Sequence, residues 1–157
     1  MFYIVFQRNF KQQYDGGFIW APIHDVNGNK QFSWNNLLDV EKEDIIFSIN
    51  NQNIVSVNTI SKTAYPATRP AEFGKVDLID SLCSDGYMVN LNYNLLVNKI
   101  RPKDYINDIA LMLPSKYSPF KKNGNGNFGL LYKVPDKLGN YLLDKIISHN
   151  PNIAKIF

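Results

Sequence analysis

The chain opens on an unbroken run of β-forming residues, Met1 to Gln7, the pattern of a strand buried on both faces. Asp15-Gly16-Gly17 then marks a turn, since glycine tolerates the positive φ that turns require. Phe18 to Ala21 reads as a second short strand stopped by Pro22, and Asn27-Gly28 as a hairpin turn across which Gln31 to Trp34 is expected to pair back. Asn35 or Asn36 is placed to cap a short helical turn through Val40. After the charged turn Glu41 to Asp44, Ile45 to Ile49 forms another buried strand, Asn50 to Asn53 a polar hairpin loop, and Ile54 to Lys62 the return strand. Ala64 to Phe73, with Pro66 and Pro70, is expected to be irregular, and Val76 to Cys83 fits either a short helix or a connection. Gly86 to Leu95 alternates strictly, with Met88, Asn90 and Asn92 against Val89, Leu91 and Tyr93, the period of a strand with one buried face.

The last third changes period. Pro102 stands near the first turn of a helix in which Tyr105, Ile106, Ile109 and Met112 recur at helical spacing, and Pro114 ends it. Ser115 to Gly126 is a basic, glycine-rich loop, followed by a short strand from Gly129 to Val134. Pro135 to His149 is the clearest helix, its stripe built from Leu138, Leu142, Leu143, Ile146 and Ile147. Strands outnumber helices and most connections are of hairpin length. The expected class is therefore α+β, a small, strongly bent sheet or open barrel of about six strands flanked by two or three helices.

Composition narrows the function classes. A length of 157 residues suits one domain, and 45% hydrophobic with 20% charged residues excludes wholesale disorder. One cysteine, Cys83, excludes a disulfide framework, and with only His24 and His149 beside it a tetrahedral zinc site lacks ligands. No apolar run reaches the ~20 residues of a membrane span, and the first ten residues lack a signal peptide's basic start and cleavage site. A soluble, cytoplasmic domain without cofactor or metal and with no membrane partner is the expectation. The charge is unevenly spread. Residues 1–96 hold 7 Lys and Arg against 10 Asp and Glu, whereas residues 97–157 hold 10 against 4. A basic final third points to an anionic partner, nucleic acid being the commonest; a solvated lysine-rich surface is the plainer reading.

No nucleophile elbow, phosphate loop, zinc-protease helix or dinucleotide fingerprint is present. Cys83 stands between Asp80 and Asp85, where carboxylates raise a thiol's pKa and disfavour a catalytic thiolate. Binding chemistry is better represented, because aromatic residues make up 13% of the chain. The only tryptophans, Trp20 and Trp34, follow turn-rich segments, with Phe47 and Tyr65 at or just past strand ends. A flat slot walled by two such rings stacks a nucleobase at about 1–3 kcal/mol per base, enough to offset the few kcal/mol of taking a base from its stack. Ser33, Asn35 and Ser48 are candidate readers of the base edge. The alternative is that both tryptophans are simply core. Lys116, Tyr117, Lys121 and Lys122 interleave cations with an aromatic ring on a glycine-rich loop, a candidate grip on phosphates, and Arg69 between Thr68 and Pro70 is a second.

Six segments then occur in a telling order: 16–22 (GGFIWAP), 32–37 (FSWNNL), 44–48 (DIIFS), 64–70 (AYPATRP), 116–120 (KYSPF) and 124–131 (GNGNFGLL). Together they resemble the N-terminal recognition domain of modification-dependent restriction proteins, a PUA-like reader related to the EVE and YTH domains that precedes an HNH nuclease or a McrB-like NTPase motor. The resemblance implies a PUA-like bent β-barrel over residues 1–149, with 150–157 as a C-terminal tail or linker. It implies base flipping into an aromatic cage, with Trp20 and Trp34 as walls, Phe47 and Ser48 as floor, and Tyr65 and Arg69 as rim or backbone contacts. One departure is visible, since the family's Gly-Asp turn before the third strand is Glu43-Asp44 here. The implied partner is double-stranded DNA carrying a modified, methylated base, with catalysis left to an attached or associated nuclease or NTPase. A reader of modified RNA and a protein-interaction domain with no nucleic-acid binding are the rival readings.

Overall fold

Tyr3, Ile4 and Val5 of the first strand, β1 (Phe2–Phe6), are completely buried, because both faces of the sheet are covered here. Ile4 faces a core shared with Leu138, Leu142 and Ile146 of the long helix, while Tyr3 and Val5 face a second core inside the curl of the sheet. A continuous apolar run is the sequence form of that situation. The computed structural model of the chain describes residues 1–25, 27–71, 84–127 and 129–157. Val76 to Cys83, and with it the lone cysteine, lies outside the described residues.

Helix α1 (Phe10–Gly16) leads into β2 (Phe18–Pro22), and α2 (Phe32–Asn35) passes directly into a 3-10 turn over Asn36–Asp39. Strand β3 (Ile45–Asn50) runs parallel to β1 and antiparallel to β4 (Asn53–Thr68). The 16-residue β4 pairs with the equally long β5 (Asp85–Ile100), which also carries β2. Helix α3 (Ile106–Ile109), β6 (Leu131–Val134) and α4 (Asp136–His149) follow. The strand order β2-β5-β4-β3-β1-β6 makes one six-stranded sheet. Three register shifts between β4 and β5, after Ile54, Ile60 and Lys62, add local twist and curl the sheet into a half-barrel. The expected bent barrel with flanking helices is the fold observed.

Four local expectations differ. Gln31 to Trp34 is not a return strand, because Gln31 is the extended N-cap of a helix that runs from Phe32 to Asn35. Ser33 and Asn36 tie it by hydrogen bonds to Leu130 and Leu131 at the start of β6, and it packs against both β2 and β6, the two edge strands. The stretch from Ala64 to Thr68 stays in β4 despite Pro66. Beyond Thr59 that strand has β5 as its only described partner, so it is an edge, where a missing N–H is tolerated. The helix expected from Pro102 to Leu113 breaks into a 3-10 turn, α3 and a second 3-10 turn at Ala110–Met112. Residues 150–157 are not a loose tail. Asn150 exchanges hydrogen bonds with the backbone of Asn98, and Ile153 is buried beside α4. The departure at Glu43 costs the turn nothing, because Glu43 has negative φ and Asp44 closes the turn by accepting the Glu41 N–H at 2.7 Å.

Candidate functional site

Gln7, Arg8 and Asn9 continue β1 past its last apolar residue, and Ile49-Asn50 ends the neighbouring β3 in the same direction. The two ends are joined, the Gln7 N–H donating to Ile49 O and the Asn50 amide to Gln7 O. A cleft of about 870 Å³ opens here, between β2 and α2 on one side and the 120–130 loop on the other. Its lining is aromatic and amide-rich, and holds Arg8 and Lys103 but no carboxylate among the described residues.

Trp20 and Trp34 both line this cleft, from different elements. Trp20 is only 4% exposed, and its indole N–H donates to Ala67 O at 2.9 Å. Gly86, opposite Pro22 across the β2–β5 ladder, lies directly under the indole, where any Cβ would collide with ring atoms. Trp34 is half-buried on a four-residue helix. Beside the tryptophans, Pro22, Phe6 and Phe120 complete the apolar walls.

The polar part of the lining comes from residues with no periodic signature in the sequence. Gln7, Gln13, Gln31, Asn50, Asn125 and Asn127 all reach it. Gln7 is the most constrained. Its amide N–H groups donate to Gln13 Oε1 (3.1 Å) and to the Tyr93 hydroxyl (2.8 Å), which itself donates to Phe18 O of β2. The network fixes which way the amide points, and it leaves the buried Gln7 Oε1 with no partner among the described residues. An orphan acceptor costs about 1–3 kcal/mol, so its retention calls for a reason beyond packing. Burial pushes the Tyr93 hydroxyl well above the ordinary phenol range, although the Gln7 hydrogen bond pulls the other way. It stays a neutral donor at physiological pH.

The β3–β4 turn adds Asn51 and Gln52, both with positive φ (50° and 68°) and both lining the cleft. Paired left-handed residues are what a two-residue hairpin loop requires, and glycine is the ordinary choice at the second. Gln52 occupies it instead, at a backbone cost. Polar residues clustered immediately after two buried strands, at 7–9 and 50–53, are the signal by which these positions are recognisable.

The other sequence candidates fall outside the cleft lining. Phe47 is fully buried, its ring stacked on Phe2 in the helix-side core. Ser48 is also fully buried and accepts from the Asn58 amide at 2.8 Å. Ser33 is buried and spends its hydroxyl on the Leu130 N–H, so it positions α2 instead of facing the cleft, and Asn35 points to solvent. Tyr65, on the far half of β4, hydrogen-bonds Asn90 at 2.7 Å under the Lys62 ammonium, and the Arg69 N–H, just past the end of that strand, bonds Ser84 O. Lys116, Tyr117, Lys121 and Lys122 are exposed on the loop whose Phe120, Gly124, Asn125 and Gly126 line the cleft, so they border it. Arg8 and Lys103 are the cations in the lining itself, and the sequence analysis singled out neither. Among the described residues no group of three His, Cys, Asp or Glu stands close enough to hold a metal, and no helix is long and apolar enough to cross a membrane.

No protein-family model matches the sequence, and no curated protein matches it. Solved structures do match the fold. The YTH domain of Zygosaccharomyces rouxii MRB1, in complex with N6-methyladenosine RNA, superposes with a TM-score of 0.58 at 9% identity, over 92% of this chain and 85% of that one. Human THYN1, in complex with DNA containing 5-methylcytosine, gives 0.54 at 12% identity over 92% and 96%. The N-terminal domain of Staphylothermus marinus McrB gives 0.53 at 13% identity over 95% and 94%. The chain therefore has the PUA-like fold that the ordered segments implied.

Proposed function

We propose that this chain is a recognition domain that takes a flipped, methylated base of double-stranded DNA into the cleft between Trp20 and Trp34. The observation that carries the reading is the composition of the cleft, with two indoles, a run of amides, two cations and, among the described residues, no carboxylate. Indole faces stack a base of any sequence at about 1–3 kcal/mol, and amides carry both donors and acceptors for a base edge. A methyl group adds only about 0.8 kcal/mol on burial, so discrimination rests on the amides around it. Gln7 Oε1 is suited to accept an N–H from the base once the side chain adjusts to it. Arg8 and Lys103 at the cleft, with Lys116, Lys121 and Lys122 beyond it, supply the charge that holds phosphates.

The fold shared with human THYN1 bound to 5-methylcytosine DNA supports the substrate class, and the fold shared with the McrB N-terminal domain supports a place in a restriction system beside a nuclease or NTPase. The likeness to YTH domains bound to N6-methyladenosine RNA favours a second reading, a reader of modified RNA by the same cleft. Fluorescence anisotropy with matched oligonucleotides separates them. A duplex carrying 5-methylcytosine or N6-methyladenine should bind more tightly than its unmodified twin, with affinity falling steeply as salt rises. Trp34→Ala should erase the preference. Equal affinity for modified and unmodified DNA overturns the modified-base reading, and preference for the methylated RNA transfers the site to RNA.

A further inference from the structure

Tyr117 combines three properties seldom found together. Its side chain is 64% exposed, its backbone is left-handed with φ at 55°, and its ring lies against Phe32 with centroids 4.3 Å apart. Besides the turn residues Asn51 and Gln52, it is the only described non-glycine residue with positive φ. A tyrosine held there costs the backbone energy that glycine or asparagine would largely avoid. The ring is not a loose surface group, because Phe32 beneath it packs edge-on against the buried Tyr132 at 5.4 Å. The loop around it is also tied down. Ser118 Oγ bonds the backbone of Phe120, and Asn127 bonds the carbonyls of Ser118 and Pro119. The place is next to the cleft, since Phe32 lies between the lining residues Gln31 and Trp34, and the loop runs on to the lining residue Phe120. Lys116 flanks it directly, with Lys121 and Lys122 a few residues on.

We propose that Tyr117 is a second stacking platform, which receives the face of the nucleobase adjacent to the one held in the cleft. This rests on reading the cleft as a base pocket. When a base leaves the stack, its neighbour is left with a bare π-face. An anchored ring with an open side takes that face at little entropic cost. The role assigned to Tyr117 is thus with a base, and the lysines around it are left to hold the phosphates on either side. The ligand that fills the whole surface is at least a dinucleotide step, not a lone nucleoside.

Calorimetry on four proteins tests this: the wild type, Tyr117→Ala, Tyr117→Phe and Tyr117→Gly. The probes are 5-methyl-2′-deoxycytidine, a duplex with a central 5-methylcytosine, and the same duplex with abasic sites flanking the modified base. Tyr117→Ala should weaken the intact duplex about ten-fold and leave the nucleoside unchanged. Tyr117→Phe should bind like the wild type. The abasic duplex should bind the wild type about ten-fold more weakly and lose nothing further on Tyr117→Ala. Tyr117→Gly should weaken the duplex while its unfolding midpoint holds or rises, so the loss is not misfolding. Unchanged duplex affinity in Tyr117→Ala overturns the proposal, as does an equal loss on nucleoside and duplex, which makes Tyr117 a prop for the cleft. Equal losses in Tyr117→Phe and Tyr117→Ala overturn it in favour of a hydroxyl contact. If the wild type binds neither nucleoside nor duplex, the pocket reading falls as well; if it binds and Tyr117→Ala is silent, only the platform falls.

Discussion

Trp20 and Trp34 line one cleft but belong to different orders of structure. Trp20 sits in a hydrogen-bonded strand, its indole N–H is spent on Ala67 O, and Gly86 leaves it no room to shift. Trp34 rides on a four-residue helix that joins the sheet through the side chains of Ser33 and Asn36 and contributes no rung to it. The first wall is a rung of the sheet, and the second stands beside the sheet on a separate helix, although its half-buried ring still packs against the core inside the curl. One site can thus combine a fixed reference surface with an adjustable one, a division of labour that suits the base pocket proposed above.

The sharpest way to break this comparison is to truncate each wall. Trp20→Ala should cost about 3–5 kcal/mol of stability, the range for a large buried aromatic, seen as a lowered urea midpoint, and binding should fail with it. Gly86→Ala should follow at about 1–3 kcal/mol, because the new methyl drives into the Ala21 carbonyl and the indole, and a close-packed site resists insertion. A Gly86→Ala protein with wild-type stability would mean that the β2 backbone at Ala21 and the Trp20 ring both give way, and the contrast is false. Trp34→Ala inverts the profile. Its stability loss should stay near 1 kcal/mol or below, while binding of a methylated duplex falls by about 1–3 kcal/mol, the worth of one stacking face. The smallest effect has a mixed sign. Gln52→Gly should gain about 0.5–1 kcal/mol in stability by relieving the left-handed backbone, yet bind methylated DNA more weakly, read by thermal melts and anisotropy on the same preparation.

The sheet was legible wherever burial imposes a period. β1, β3 and the first part of β5 announced themselves by apolar runs or strict alternation, and α4 by its stripe of Leu138, Leu142 and Ile146. The elements that escaped are those too short, or with too few buried apolar residues, to show a period. Helix α1 buries only Gln13, so a hydrophobic-moment argument has nothing to find. Helix α2 is four residues long, its Phe32 and Trp34 read as β-formers, and the partners of its hydrogen bonds and of its Phe32 ring lie nearly a hundred positions away. The site divides in the same way. The tryptophans could be picked out as large aromatics after turns. Phe47 and Ser48 looked equally good because strand alternation does not say which side of a two-faced sheet is hollow. The amides could not be assembled from sequence, since Gln7, Gln31, Asn50 and Asn125 meet only when four segments converge on the ends of β1 and β3.

The bridging position of α2 has a consequence for how such a protein can change. The two edge strands, β2 and β6, are joined there by a short helix in place of a seventh strand. A strand in that place would fix the register of both neighbours, and every substitution in it would propagate along two ladders. The helix is held by two side-chain hydrogen bonds and by the packing of Phe32 and Trp34, with no ladder, so residues 31–36 behave as an exchangeable cassette. New side chains at 31 and 34 re-furnish one wall of the cavity, while Ser33 and Asn36 keep it in place and the sheet behind it is left untouched. Selection can therefore explore new ligands on one wall without renegotiating the architecture that holds the other.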